Sequence, residues 1–293
     1  MARRIIWGLG LAAVFWVGLA GYAYAEQTII AQKVGEVPVI DGSGNDPVWE
    51  KARAIVTQDG IADIPLTLKA VYTDKEIFFL VSFPDPDESR RHKDWVWNKA
   101  SQMYKPGLMR EDVFVLKWNM GPKHVDLSVY ADEPYTTDIW FWKAGRTDPV
   151  GFADDKIDIL NVSETPKSMK ITSKSGKPMS LQRLGDAGEP AYVDTLPVEY
   201  EGETLPNFKN QTPTASRADI KAKGTWSSGQ WTIEFARALH TGNGDDVQFT
   251  PGEKYQFGVS RYEIAGRSPE PEATQPLYGT GDTSEELYLS FSQ

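Results

Sequence analysis

Beyond its first 25 residues, the sequence almost lacks the spacing of apolar side chains that an amphipathic helix requires. Short runs of β-branched and aromatic residues recur instead, and Gly, Pro, Asn and Asp separate them. Such runs are typical of antiparallel strands joined by turns. The pattern therefore predicts an all-β fold, an antiparallel β-sandwich of the immunoglobulin-like kind.

The predicted strands are spread over most of the chain. They lie at residues 66–83 (two strands around the turn at 73–75), 111–120, 124–131, 226–239 (a hairpin), 254–264 and 286–291. Short helical pieces are predicted at 47–52 and 95–100. Residues 157–225 are rich in Lys, Ser, Thr, Pro and Gly and show little strand pattern. A long irregular insertion is therefore predicted there, within a single domain of residues 26–293.

The N-terminal segment has the three parts of a secretory signal peptide. Arg3 and Arg4 precede an apolar run from Ile5 to about Ala20, and the small–x–small sequence AYA ends at Ala25. Residues 1–25 are predicted to be removed on export to the periplasm. An uncleaved segment of this length is the alternative, and only then is membrane association expected.

Composition excludes several classes of function. The net charge of −10 argues against non-specific binding to nucleic acid. The absence of cysteine excludes zinc–thiolate and iron–sulfur sites, a disulfide framework, a thiol nucleophile and thioether-attached haem. The motifs of a serine hydrolase, a zinc peptidase, a phosphate loop and a dinucleotide site are also missing. The chain is therefore not predicted to be an enzyme.

Two resemblances narrow the choice. The segment VPVIDGSGNDPVWEKA (37–52) resembles the opening of family-nine carbohydrate-binding modules, in which a Trp plugs one end of the sandwich. Four blocks are similar to the ethylbenzene dehydrogenase-related haem-binding domain, also described as the cytochrome c/dimethyl sulfoxide reductase-like haem-binding domain. These blocks are residues 68–89, 111–118, 138–155 and 236–260, of which DIWFWKAGRTDPVGFADD (138–155) is the most specific.

The second resemblance, which spans about residues 36–291, implies an electron carrier. Such a sandwich binds one haem b without a covalent link, between a methionine and a lysine. Its partner is another redox protein, such as a c-type cytochrome or the catalytic subunit of an oxidoreductase. In this sequence residues 130–138 contain no Met and residues 272–291 contain no Lys, so the axial donors stay open.

Three residues are candidate haem-iron ligands. Met120 and His124 bracket the turn Gly121-Pro122 and are expected at one end of the sandwich, and Met109 lies at a loop edge. Thioether and imidazole groups both bind haem iron. The alternative is that Met120 caps the core and His124 is a solvated residue at the start of a strand.

The aromatic block supplies the candidate cofactor contacts. In a strand, Trp140 and Trp142 share one face, and Lys143 points to the other. The haem interpretation makes Trp140 and Trp142 part of the slot, and Lys143 and Arg146 the partners of its propionates. The alternative is that the tryptophans fill the core and the Lys143 stem packs over apolar surface with its ammonium group in water.

Other polar residues also have two interpretations. The pairs Asp154–Asp155 and Asp245–Asp246 can cap turns or bind Ca²⁺, and His240 is a strand-end residue or a distal haem ligand. Two further functions remain open. One is a haem-free module that binds carbohydrate on aromatic side chains, namely Trp95, Trp97, Trp140 and Trp142. The other is a structural subunit of a redox complex.

Overall fold

The computed structural model of the chain describes residues 26–59, 64–261 and 287–293. Paired strands make up most of its regular structure. The strands are β1 Gln27–Lys33, β2 Ile55–Asp59, β3 Ile64–Tyr72, β4 Glu76–Pro84, β5 Trp95–Asn98, β6 Met103–Pro106, β7 Val113–Asn119, β8 Tyr135–Lys143, β9 Asp154–Asn161, β10 Met169–Thr172, β11 Pro178–Gly185, β12 Tyr192–Asp194, β13 Thr204–Leu205, β14 Phe208–Asn210, β15 Lys221–Ser227, β16 Gln230–Ala238, β17 Tyr255–Ser260 and β18 Leu287–Phe291. Short 3₁₀ helices occupy Pro47–Glu50, Asp148–Val150 and Ala215–Ala218. In the described residues no helix has the length and hydrophobicity needed to cross a membrane.

Two layers are joined through strand β1. The first layer has the order β10-β11-β9-β8-β7-β17-β18-β1, and the second continues as β1-β3-β4-β16-β15, with β2 paired to β3. Residues 27–31 of β1 pair with β18, and residues 32–33 pair with β3. Both of these pairings are parallel, whereas the other pairings of the two layers are antiparallel. The all-β sandwich predicted from the sequence is confirmed.

Aromatic side chains fill the space between the layers. Phe83 of β4 stacks on Phe114 of β7 with ring centroids 5.8 Å apart. Trp142 of β8 meets Trp231 of β16 edge-on at 4.9 Å. Trp140 is also fully buried in this core. Because these rings occupy the interior, a flat ligand has to bind at an edge or an end of the sandwich.

Local patterns identified most strands correctly. The hairpin β3–β4, the hairpin β15–β16 with its Ser228-Gly229 turn, and the strands β7, β17 and β18 occur where they were predicted. The 3₁₀ helix Pro47–Glu50 matches the first helical piece. Residues 1–25, which carry the signal-peptide prediction, lie outside the described residues.

Two local predictions differ from the structure. Residues 124–131 form turns rather than a strand, because the Asp126 carboxylate accepts the Ser128 N–H and the Ser128 hydroxyl accepts the Tyr130 N–H. Residues 95–98 form β5 rather than a helix, because they pair with β6 and β13.

The segment 157–225 also contains more strand than its sequence pattern indicated. Its first part continues β9, which pairs with β8 and β11 at the edge of the first layer. Strands β12 and β14 form a separate two-stranded sheet. The Asn210 amide of β14 donates to the carbonyl oxygens of Gly145 and Arg146, so this small sheet is fixed to the end of β8.

Candidate functional site

A cleft of about 590 Å³ opens at one end of the sandwich, next to the loop that follows the last residue of β7. Met120 and His124 both line it, and they flank the Gly121-Pro122 turn. We call it the end cleft. Its volume falls in the range of small-ligand and cofactor sites. Met120 and His124 thus lie together at one end of the sandwich, as the sequence predicted, and the cleft is at this end.

Hydrogen bonds from three strands hold the loop of the end cleft. The Asn119 amide donates to the carbonyl oxygen of Lys123 at 2.7 Å and to Gln256 Oε1 of β17 at 2.8 Å. The Gln256 amide in turn donates to the Val125 carbonyl oxygen at 2.7 Å. His124 Nδ1 lies 3.0 Å from the Tyr288 hydroxyl of β18. The imidazole is exposed, but the strands behind it restrict its position.

The remaining wall of the end cleft combines a thioether, cations and aromatic rings. Met120 is partly buried and packs against the core. Lys254 Nζ lies 4.0 Å from the centre of the Tyr288 ring and also pairs with Glu26. Lys123 and Tyr255 complete this part of the wall. The cleft thus offers thioether and imidazole donors on a wall that carries two lysines, Lys123 and Lys254, and two carboxylates, Asp246 and Glu253.

Trp140 and Trp142 do not reach this cleft, and the prediction that they line a cofactor slot does not agree with their burial. Both indoles are fully buried between the layers. Trp142 Nε1 donates to Asp148 Oδ1 at 3.0 Å. The interpretation of these residues as core filler is the one that the packing supports.

Lys143 is 2% exposed, and its ammonium group is paired with other groups inside the protein. Its ammonium group contacts the Asp154 carboxylate and donates to the Tyr192 hydroxyl at 3.1 Å. Burial lowers the Lys143 pKa, although the Asp154 charge opposes this effect. Neither the propionate contact nor the solvated ammonium group expected from the sequence matches this geometry.

Arg146 also belongs to an internal network. It pairs with Glu111 Oε1, and its guanidinium carbon lies 4.9 Å from the centre of the Tyr192 ring. The Gly145 and Arg146 N–H groups donate to Glu111 Oε2 at 2.7 and 2.8 Å. Lys143 and Arg146 therefore hold β8 beneath the small β12–β14 sheet, away from the end cleft.

The other candidate residues lie elsewhere. Met109 is 45% exposed and is not part of the end-cleft wall, and His240 is also exposed. Trp95 donates to the Thr195 carbonyl oxygen at 2.9 Å, and Trp97 meets Tyr200 edge-on at 5.0 Å. Both tryptophans are partly buried on β5, outside the end cleft.

The acidic pairs separate on folding. Asp154 turns to Lys143, whereas Asp155 is fully buried near Asp138 and Asp246. Asp246 also lines the end cleft. The sequence analysis did not identify Asp138, although a charged residue inside the aromatic run TTDIWFW was a signal that a buried partner exists.

The network around Arg146 leads to a pH prediction for His92. Burial lowers the His92 pKa to about 2, and the charge of Arg146 adds to the effect. Between that value and an unfolded value of about 6.5, the unfolded chain binds more protons than the folded chain. Stability from this group is therefore lost as the pH falls below about 6.5. We therefore expect the free energy of unfolding, measured with urea, to fall less in His92→Gln than in the wild type between pH 7 and pH 5. The two slopes should differ by up to ~1.4 kcal/mol per pH unit. Equal losses in both proteins would contradict this origin.

Comparison with known proteins gives one family and solved structures of low similarity. The sequence model of the family described as ethylbenzene dehydrogenase matches residues 46–266. No curated protein matches the chain. A family 9 carbohydrate-binding module from Caldicellulosiruptor kristjanssonii in complex with glucose has a TM-score of 0.39 at 11% identity, over 92% of this chain and 97% of that one. A putative carbohydrate-binding protein from Bacteroides uniformis has a TM-score of 0.43 at 7% identity, over 92% of this chain and 100% of that one.

Proposed function

Since the chain belongs to the ethylbenzene dehydrogenase family, we propose that it is a periplasmic electron-transfer protein that binds one haem b, without a covalent link, in the end cleft. The observation that carries the proposal is the presence of Met120 and His124 on the wall of one cleft. Thioether sulfur and imidazole nitrogen are both established donors to haem iron. The haem would supply one-electron redox chemistry.

The residues of the end cleft have distinct roles in this proposal. Met120 and His124 would hold the haem iron through the thioether sulfur and an imidazole nitrogen. Tyr288 and Gln256 position the His124 ring, since both contact its Nδ1 atom, at 3.0 and 2.9 Å. Lys123 would pair with one carboxylate of a haem b, whereas Lys254 already pairs with Glu26.

Electron transfer also requires a partner and a route to it. The cleft opens at the end of the sandwich, and His124 is exposed there. A bound redox group near this surface would be accessible to a second protein without any opening of the core. We propose a c-type cytochrome or the catalytic subunit of an oxidoreductase as that partner, and export through the N-terminal segment as the reason that the two meet.

Absorbance spectroscopy tests this function directly. The mature chain, purified from haem-replete cells, is expected to show a Soret band and, after reduction, the sharp visible bands of a low-spin b haem. A pyridine haemochrome assay should give one haem per chain. A protein without these bands, both as purified and after stoichiometric addition of haemin, would rule out the proposal.

A second candidate function uses the same cleft. Asn119, Gln248, Glu253 and Tyr255 also line its wall, and amide, carboxylate and aromatic groups together suit the hydroxyl groups and C–H faces of a sugar. A haem-free module that binds carbohydrate there is therefore the alternative. Calorimetric titration with mono- and oligosaccharides separates the two functions, because only the alternative predicts binding of sugar by the haem-free protein.

A further inference from the structure

Four aspartates meet inside the protein behind the end cleft. They are Asp138 of β8, Asp155 of β9, Asp186 just after β11 and Asp246 in the loop before β17, and we call them the acid cluster. Their exposed fractions are 0%, 0%, 6% and 5%. One carboxylate oxygen from each of Asp138, Asp155 and Asp246 lies within 4.8 Å of the other two, and Asp186 and Asp246 belong to a second such group with Asp245.

The charge of the acid cluster is only partly compensated by Arg237. Arg237 Nη1 lies 2.6 Å from Asp138 Oδ2 and 3.5 Å from Asp246 Oδ1. Four carboxylates and one guanidinium group leave a formal charge of −3. Charged carboxylates at these positions are costly unless something else neutralises them.

Six oxygens of the acid cluster accept no hydrogen bond from a donor group. They are Asp138 Oδ1, both carboxylate oxygens of Asp155, both of Asp186, and Asp246 Oδ1. Buried polar atoms normally have a partner, so a set of this size in one place needs an explanation. Arg237, Val247 and Thr241 form their hydrogen bonds with Asp138 Oδ2 and Asp246 Oδ2 instead. Of the six oxygens, Asp246 Oδ1 is also in ion-pair contact with Arg237 Nη1, at 3.5 Å.

We propose that the acid cluster binds one divalent cation, and that Ca²⁺ is the best fit. Carboxylate oxygens are the ligands of hard cations, and Ca²⁺ takes six to eight oxygens at 2.3–2.6 Å. One carboxylate oxygen from each of Asp138, Asp155 and Asp246 lies within 4.8 Å of the others, so a single ion can contact all three, and the six buried oxygens without a donor match the number that Ca²⁺ takes. A Mg²⁺ ion requires a smaller and more regular set of ligands.

The cation would connect four separate segments of the chain. Strands β8 and β9, the end of β11 and the loop before β17 each contribute one aspartate to the acid cluster. The Asp246 side chain also lines the end cleft. The ion would therefore fix one wall of that cleft, whichever ligand the cleft binds, and it would stabilise the folded state by binding to it alone.

Thermal unfolding with and without chelator provides the test. Ca²⁺ is expected to raise the midpoint of the wild type by several degrees over its value in EDTA. Asp155→Asn should abolish this shift, and in EDTA it should be at least as stable as the wild type because the amide removes a buried charge. Asp155 is not part of the end-cleft wall, so its variant does not also test the function proposed for the cleft.

A matched control and a second signal complete the experiment. Asp158→Asn changes the same residue type on the same strand, outside the acid cluster, and should keep the full shift with Ca²⁺. Tb³⁺ should luminesce on excitation of tryptophan in the wild type and not in Asp155→Asn. Trp140 is close enough to transfer energy, because its ring centre lies 4.7 Å from the guanidinium carbon of Arg237, which pairs with Asp138 of the acid cluster.

The proposal is overturned if Ca²⁺, Mg²⁺ and Mn²⁺ all leave the midpoint of thermal unfolding unchanged. In that case a proton shared by Asp155 and Asp186 occupies the site. A shift that survives Asp155→Asn would overturn it as well.

Discussion

Replacement of Arg237 by leucine is expected to lower the free energy of unfolding by about 3–5 kcal/mol in metal-free buffer at pH 7. Arg237 is 1% exposed and pairs with Asp138 at 2.6 Å. It also donates to the Val247 carbonyl oxygen and lies over the rings of Trp140 and Phe249. Its loss leaves Asp138 and Asp246 buried without their counter-charge. Urea unfolding measures the change.

Two further variants show whether charge is the cause. Arg183→Leu removes a guanidinium group that lies 4.0 Å from Asp158 at the edge of the sheet, and it should cost less than about 1 kcal/mol. Arg237→Leu combined with Asp138→Leu should recover part of the loss, because the carboxylate nearest to the lost guanidinium is then gone while Asp246 remains. If Arg237→Leu unfolds within about 1 kcal/mol of the wild type, the electrostatic account of this core is wrong.

Replacement of Trp140 by alanine is the second large effect, with an expected loss of about 3–5 kcal/mol. The indole is fully buried, and Phe79 and Trp118 lie 5.9 and 5.4 Å from it between ring centres. Alanine would leave a cavity between the two layers that this packed core cannot fill. Denaturant unfolding checks the loss, and Trp97→Ala is the control, because Trp97 lies outside this core and should cost less.

The milder variant Trp140→Phe distinguishes core packing from cofactor contact. It should be partly destabilised and should leave the absorbance spectrum of bound haem unchanged, since Trp140 does not line the end cleft. A shifted Soret band together with unchanged stability would instead place Trp140 at the cofactor, as the sequence alone suggested.

Local patterns were informative where neighbours in the chain also pair in the sheet. The hairpins β3–β4 and β15–β16 have alternating residues and turn signals close together, so their positions were predictable. Strand β5 is an exception. Its neighbour β6 pairs with it, but the linking residues 99–102 (KASQ) contain no Gly, Pro, Asn or Asp to signal a turn, and its other partner, β13, is about 100 residues away. Strands β9–β11 form the end of the first layer, and charged or polar residues, several of them buried in β9, interrupt their apolar pattern.

The candidate site shows the same division. The common location of Met120 and His124 was predictable because one turn separates them at the end of β7, and that turn lies at the end cleft. Tyr288 and Gln256, which hold His124, come from strands more than 130 residues away. The burial of the Lys143 ammonium group could not be predicted either. Tyr192, which accepts a hydrogen bond from it, belongs to a segment whose sequence showed no clear strand pattern. The acid cluster also depends on four distant segments, and only Asp155 and Asp246 were among the candidate cation ligands.

The spectrum of bound haem in four single variants tests the central claim that Met120 and His124 hold the haem iron. Met120→Ala and His124→Ala should each shift or abolish the Soret band and weaken haem retention. Met109→Ala and His240→Ala, which change the same residue types outside the end cleft, should match the wild type. A Soret band that is the same in all four variants would contradict the claim.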